Sequence, residues 1–171
     1  AQQGLAGVER EPHQRQRLDL LGPWGHSSGD DPREREHDDA ERWLASLAAH
    51  RLDPASLRPA SADASFRRYL RIDSGAGTSL IVMDAPPPQE DVRPFVQVAQ
   101  LIEQAGLNAP RVLAQDAAHG FLLLTDPGSR PYLAALQQAV AAGETGRADA
   151  LMRDAFSALV QWQQRVDARG L

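Results

Sequence analysis

"SLIVMDAPPPQE", residues 79–90, begins as a strand and stops abruptly. Leu80 to Met83 is apolar and partly β-branched, which suits a pleated, buried surface. Pro86, Pro87 and Pro88 then end strand pairing, since each proline lacks a backbone N–H. Upstream, "SFRRYLRI" (65–72) alternates as a half-buried strand does, and "DSGAGTS" (73–79) is rich in turn formers. Residues 65–84 therefore read as a β-hairpin. Downstream, "EDVRPFVQVAQLIEQAG" (90–106) places Phe95, Val98, Ala99, Leu101 and Ile102 on one helical stripe. Pro94 falls in the first turn of that helix, where proline is tolerated, and Gly106 marks its end.

The pattern continues outward in both directions. "PRVLAQDAAHGFLLLTD" (110–126) predicts strands over 111–115 and 120–125 around a turn at 116–119. "PGSRPY" is a linker, and the period predicts helices over 131–140 and 147–167. On the N-terminal side, "DDAERWLASLAAH" (38–50) sets Ala40, Trp43, Leu44, Leu47 and Ala48 on one face, with Asp38 or Asp39 as N-cap. Pro54 and Pro59 punctuate an expected loop. The order is helix, hairpin, helix, hairpin, linker, helices, an α+β arrangement.

Residues 1–37 differ from the rest. They are dense in charge, Gly, Pro and His, with no sustained period, and are expected to be a disordered arm. This segment is either a genuine arm or sequence lying upstream of the true start. His13, His26 and His37 are irregularly spaced and read as solvated rather than metal-binding. The opening "AQQGLAGVERE" has neither the charged start nor the apolar core of a secretory signal, and the default location is cytoplasmic.

Composition narrows the chemistry. The 171 residues carry a formal net charge of −5, with 42% hydrophobic and 24% charged residues, which is globular composition. No basic stripe interleaved with aromatics occurs, so no nucleic-acid partner is expected. The longest apolar runs are far too short to span a membrane. There is no cysteine, which removes disulfides, thiolate nucleophiles and thiolate metal sites. All 18 basic residues are arginine. Codon drift in a GC-rich genome would account for the absence of lysine by itself.

Four blocks, "SADASFRRYLRI", "VMDAPPPQEDVRPFV", "APRVLAQD" and "GFLLLTDPGSRPYL", occur in that order between residues 61 and 133. Together they resemble the aminoglycoside phosphotransferase superfamily. Within it they are most similar to the bacterial cell-wall sugar kinases that act on the anomeric hydroxyl of N-acetylmuramate and N-acetylglucosamine. The resemblance covers about residues 40–167. It implies a kinase-like small lobe over 38–126, followed over 127–171 by a hinge and the first helices of an incomplete large lobe. It also implies ATP as phosphoryl donor with Mg2+, and a small sugar as acceptor. That chemistry needs positioning and charge neutralisation more than covalent catalysis.

The resemblance assigns roles residue by residue. Ser61, Ala62, Asp63, Ala64, Ser65 and Phe66 would form the loop over the phosphates. Small residues there let backbone N–H groups approach the anion, and Ser61 and Ser65 add hydroxyls. The loop has no glycine, and a Ser or Asx turn entering a strand would look alike. Leu124 and Thr125 would meet the adenine edge at the hinge. Where the family usually has leucine this chain has Pro127, which lacks an N–H to donate. Met83 would line the adenine side, and Asp84 would order the loop before the prolines or simply close the strand end.

Most kinases place a lysine on the strand and a glutamate mid-helix to hold the phosphates. Here the helix centre is "FVQVAQ", so lysine and glutamate are absent together. Drift explains one loss more readily than both, and "VMDAPPP" reads as the signature of a branch without the pair. Arg67, Arg68 or Arg71 are the candidate cations for phosphate. The catalytic loop "HGDxxxxN" and the metal-binding aspartate of the large lobe do not occur in these residues. "HGF" at 119–121 has Phe121 in place of the aspartate, and His119 reads as a turn residue. The alternatives are a non-catalytic binding or regulatory module built from a kinase small lobe, and a kinase of another small alcohol such as an aminoglycoside or choline.

Overall fold

A computed structural model describes residues 32–61, 66–75 and 77–167, with side chains described from residue 38. The loop residues Ala62 to Ser65 lie outside the described residues. The chain runs α1 (Pro32–Ser46), a 3-10 turn (Ala48–His50), β1 (Leu52–Ser61), β2 (Arg68–Ser74), β3 (Thr78–Asp84), α2 (Arg93–Gln104), β4 (Val112–Asp116), β5 (Phe121–Thr125), α3 (Tyr132–Ala141) and α4 (Thr145–Arg165). The α+β class expected from the sequence stands. The five strands form one sheet in the order β1-β2-β3-β5-β4, every neighbouring pair antiparallel.

Both faces of this sheet are covered. Residues alternate between faces along a strand, so Leu70, Ile72, Val82, Phe121 and Leu123 point one way, where Ala40 and Leu44 of α1 cover them. The Trp43 ring stacks on Phe121 at a centroid distance of 5.5 Å. Ile81, Met83, Leu122 and Leu124 point the other way, against Val92, Phe95 and Val96. Burial on both sides explains why "LIVM" and "FLLL" are continuous rather than alternating. They are β3 and β5, two neighbouring strands of the sheet interior, paired from Leu80 opposite Thr125 to Asp84 opposite Phe121.

Three expectations are corrected. The segment around Pro54 and Pro59 is strand β1, not a loop. It lies at the sheet edge, where a missing N–H costs little, and its register with β2 shifts between Asp53 and Arg58 and again between Pro59 and Ser61. Helix α1 begins at Pro32 rather than being capped by Asp38 or Asp39. Proline is well suited to a first helical position. In α2, Val96 packs inward while Val98 is exposed.

The bend after β3 is tight. The Ala85 N–H donates to the Gly120 carbonyl at 2.9 Å, which joins the proline segment to the β4–β5 turn. Helices α3 and α4 stand to one side. Ala135 and Ala139 of α3 are buried, and the Tyr132 hydroxyl bonds the Leu151 carbonyl on α4. Gln161 and Arg165 of α4 donate to the Ala105 carbonyl at the end of α2, at 2.7 and 3.1 Å. The apolar face of α4 is largely uncovered: Phe156 is 59% exposed and Leu159 51%, while Leu151 and Trp162 are half-buried. Among the described residues, no helix is long and apolar enough to cross a membrane.

Candidate functional site

The α2-side face of the sheet is not fully covered where β5 runs out into the linker. A pocket of about 180 Å³ opens there. Ala60 and Ser61 of β1, Tyr69 and Arg71 of β2, Ile81 of β3 and Leu124 and Thr125 of β5 form its floor, with Phe95, Pro110, Asp126, Pro127 and Gly128 around it. The lining is mostly apolar with a few polar groups, as small-molecule sites are.

The polar groups of the wall are already organised. The Asp126 carboxylate receives Arg71 Nε at 2.5 Å and a second guanidinium nitrogen at 3.0 Å. It also receives the Ser79 hydroxyl at 2.6 Å and the Gly128 N–H at 2.8 Å. Four donors saturate a carboxylate. The Arg71 guanidinium, beside a carboxyl only 6% exposed, pulls the Asp126 pKa down to about 2; burial opposes this, and Ser79 and Gly128 add to it. The same hydrogen bond raises the pKa of Arg71. Arg71 also donates to the Gly128 carbonyl at 3.3 Å. A strand in mid-sheet is thus tied to the segment that leaves it.

The residues expected at a nucleotide site are partly brought together. Ser61, Leu124 and Thr125 line the pocket. Met83 is on the same face but fully buried, opposite Leu122. Asp84 follows the alternation to the other face, 2% exposed and paired with Arg68, away from the pocket. Phe66 is 67% exposed. Of the candidate phosphate cations, Arg67 pairs with Glu90 at 2.9 Å, Arg68 with Asp84, and Arg71 with Asp126. His119 is a turn residue, bonded to Asp116 at 2.8 Å.

At the linker the backbone narrows the choice of donor. Leu124 sits inside the ladder between Ile81 and Val112 and offers its side chain. The Thr125 N–H donates to the Arg111 carbonyl at 3.0 Å, and Thr125 Oγ1 accepts the Arg111 N–H at 2.9 Å. Pro127 has no N–H, and that of Gly128 is taken by Asp126. The Asp126 N–H has no hydrogen-bond partner among the described residues. Sequence reading missed Asp126. Its signal was present in "TDPG", where an aspartate precedes a turn, together with Arg71 on the pocket face of β2.

Among the described residues no three His, Asp or Glu side chains converge as a metal site would require. The described residues do not by themselves fit Mg2+.

The profile of the phosphotransferase enzyme family matches residues 56–171. The N-acetylmuramate/N-acetylglucosamine kinase of Pseudomonas aeruginosa is 53% identical over 118 residues, which are 69% of this chain and 32% of that protein. The protein of the same name from Pseudomonas putida is 47% identical over 109 residues, 64% of this chain and 30% of that protein. That from Neisseria meningitidis is 37% identical over 124 residues, 72% of this chain and 35% of that protein. The chain spans about a third of the length of the curated relatives it matches.

Proposed function

This chain belongs to the phosphotransferase enzyme family, and we propose that it is the nucleotide-holding part of an ATP-dependent small-molecule kinase. The acceptor we propose is an amino sugar of cell-wall recycling, phosphorylated at its anomeric hydroxyl. Residues 38–126 are then the small lobe, and residues 127–171 the hinge with the first helices of a large lobe.

The observation that carries this reading is the pocket where β5 enters the linker. A flat apolar floor from Ala60, Ile81 and Leu124 suits a planar base, and Ser61 at the end of β1 leads toward the loop over the phosphates. The names of the relatives support the sugar acceptor. Within these residues the work is binding and orientation: seating the base, holding the linker and aiming the phosphate chain. The acceptor's proton and the transferring phosphoryl group need a general base and charge-neutralising groups, and no residue described here is placed to supply them.

Isothermal titration of the 171-residue chain with ATP and with adenosine tests the reading, run beside a radiolabelled transfer assay with N-acetylmuramate and N-acetylglucosamine. Saturable binding of both ligands without transfer is expected. Absence of any adenosine or ATP binding by the folded chain would overturn the nucleotide assignment. Turnover that scales with this chain would overturn the division of labour.

A further inference from the structure

Arg71 is a cation in the wall of a pocket proposed to hold a polyanionic nucleotide, yet its charge is already committed. Its side chain is 18% exposed and that of Asp126 6%. Desolvating an ion pair is costly and is repaid only by good geometry and further hydrogen bonds. Here the bidentate guanidinium contact, Ser79 and the Gly128 N–H supply them. The pair bridges residues 55 apart in sequence. On the opposite flank, the paired Arg111–Thr125 hydrogen bonds hold the preceding residue. Asp126 is therefore fixed from both sides, with its own N–H left without a partner among the described residues.

We propose that Arg71 and Asp126 are positioning residues. They form a neutral clamp that locks the linker against the sheet and presents the Asp126 backbone N–H to an in-plane acceptor on the edge of a bound base. The inference rests on the nucleotide reading above and adds to it. The clamp serves the base and not the phosphates, because Arg71 has no charge left to give. A free arginine at this place would favour the phosphate chain. A spent one leaves a wall suited to an uncharged heterocycle.

The test compares adenosine with ATP, by calorimetry on the full chain, for wild type, Asp126→Asn and Arg71→Lys, with circular dichroism and thermal melting to verify folding. Asp126→Asn is expected to weaken adenosine and ATP by the same factor, about tenfold. Arg71→Lys keeps the charge but loses the fork and should fall between wild type and Asp126→Asn. The ratio of ATP to adenosine affinity should stay within about twofold of wild type. If Asp126→Asn fails to fold, Ser79→Ala removes one of the four donors and should weaken both ligands about threefold in a folded protein. Folded variants with unchanged adenosine affinity would overturn the clamp and leave the nucleotide reading standing. A selective loss of ATP would overturn it too, by showing that Arg71 serves phosphate. A wild type that binds neither ligand overturns the reading and the clamp together.

Discussion

Replacing Gly120 by alanine should be among the most damaging single-methyl changes in this protein. Gly120 has φ +80°, and a Cβ built there falls well inside van der Waals contact of the Ala85 carbonyl, with Pro87 Cδ 3.1 Å away. The obstacle is backbone, so no rotamer change relieves it. Left-handed backbone costs an L-residue roughly 1–2 kcal/mol. Overpacking adds about 1–3 kcal/mol, and loss of the Ala85–Gly120 hydrogen bond about 0.5–1.5 kcal/mol. The expected loss is about 3–6 kcal/mol, against a typical domain stability of roughly 5–15 kcal/mol. Gly143 is the control: its φ is +70° but nothing lies within 4 Å of the added Cβ. Gly143→Ala should lose only the backbone term, about 1–2 kcal/mol. The gain from a stiffer unfolded chain is common to both and cancels. Urea unfolding followed by circular dichroism gives the difference through the midpoints. If the two variants unfold within about 1 kcal/mol of each other, the close approach of the β4–β5 turn to the proline segment is not a real constraint.

Leu123 is fully buried between the sheet and α1, so Leu123→Ala should cost about 2–5 kcal/mol, whereas Leu159→Ala on the open face of α4 should cost less than about 1 kcal/mol; similar losses in urea unfolding would show that the α4 face is covered. The Asp126 pKa in the folded protein, about 2, lies below its unfolded value near 3.9, so its contribution is fully present above pH 4 and is lost as pH falls toward 2. The effect is about 2 kcal/mol; Asp73 is also held below the usual carboxylate range by its Arg58 hydrogen bond, so the measurement is the difference between wild-type and Asp126→Asn melting curves over pH 2–7, and parallel curves would refute it. Sedimentation of the chain should show a mass that rises with concentration, because Leu133, Val140, Phe156 and Leu159 leave much apolar surface exposed; Phe156→Glu should restore a monomer, and a wild type that is monomeric throughout would contradict the expectation.

The parts of the fold that were legible were those where local signal and tertiary role agree. The β2–β3 hairpin, α2 and the β4–β5 hairpin bury whole runs or stripes, and their hydrophobic pattern says so. Strand β1 was not legible, because its prolines and polar residues are allowed only by its position at the edge. The early start of α1 was missed because "PREREHDD" has no apolar period to report it. At the site, the pocket residues of β5 could be read from the strand running into "TDPG". The arginines could not be assigned from sequence. Whether a strand arginine meets a ligand or an internal carboxylate depends on partners far along the chain, such as Glu90 for Arg67 and Asp126 for Arg71.

The prolines of β1 have a consequence beyond their own strand. A sheet with two free edges is a template on which other chains can add strands, the route to fibrillar aggregation. Pro54 and Pro59 carry no backbone donor on the β1 edge strand, and the shifts in register with β2 interrupt its ladder. The opposite edge, β4, is only five residues long and is itself broken in register between Val112 and Ala114. Neither edge offers a regular row of donors and acceptors, so the self-association predicted above should run through the exposed side chains of α3 and α4 rather than through added strands.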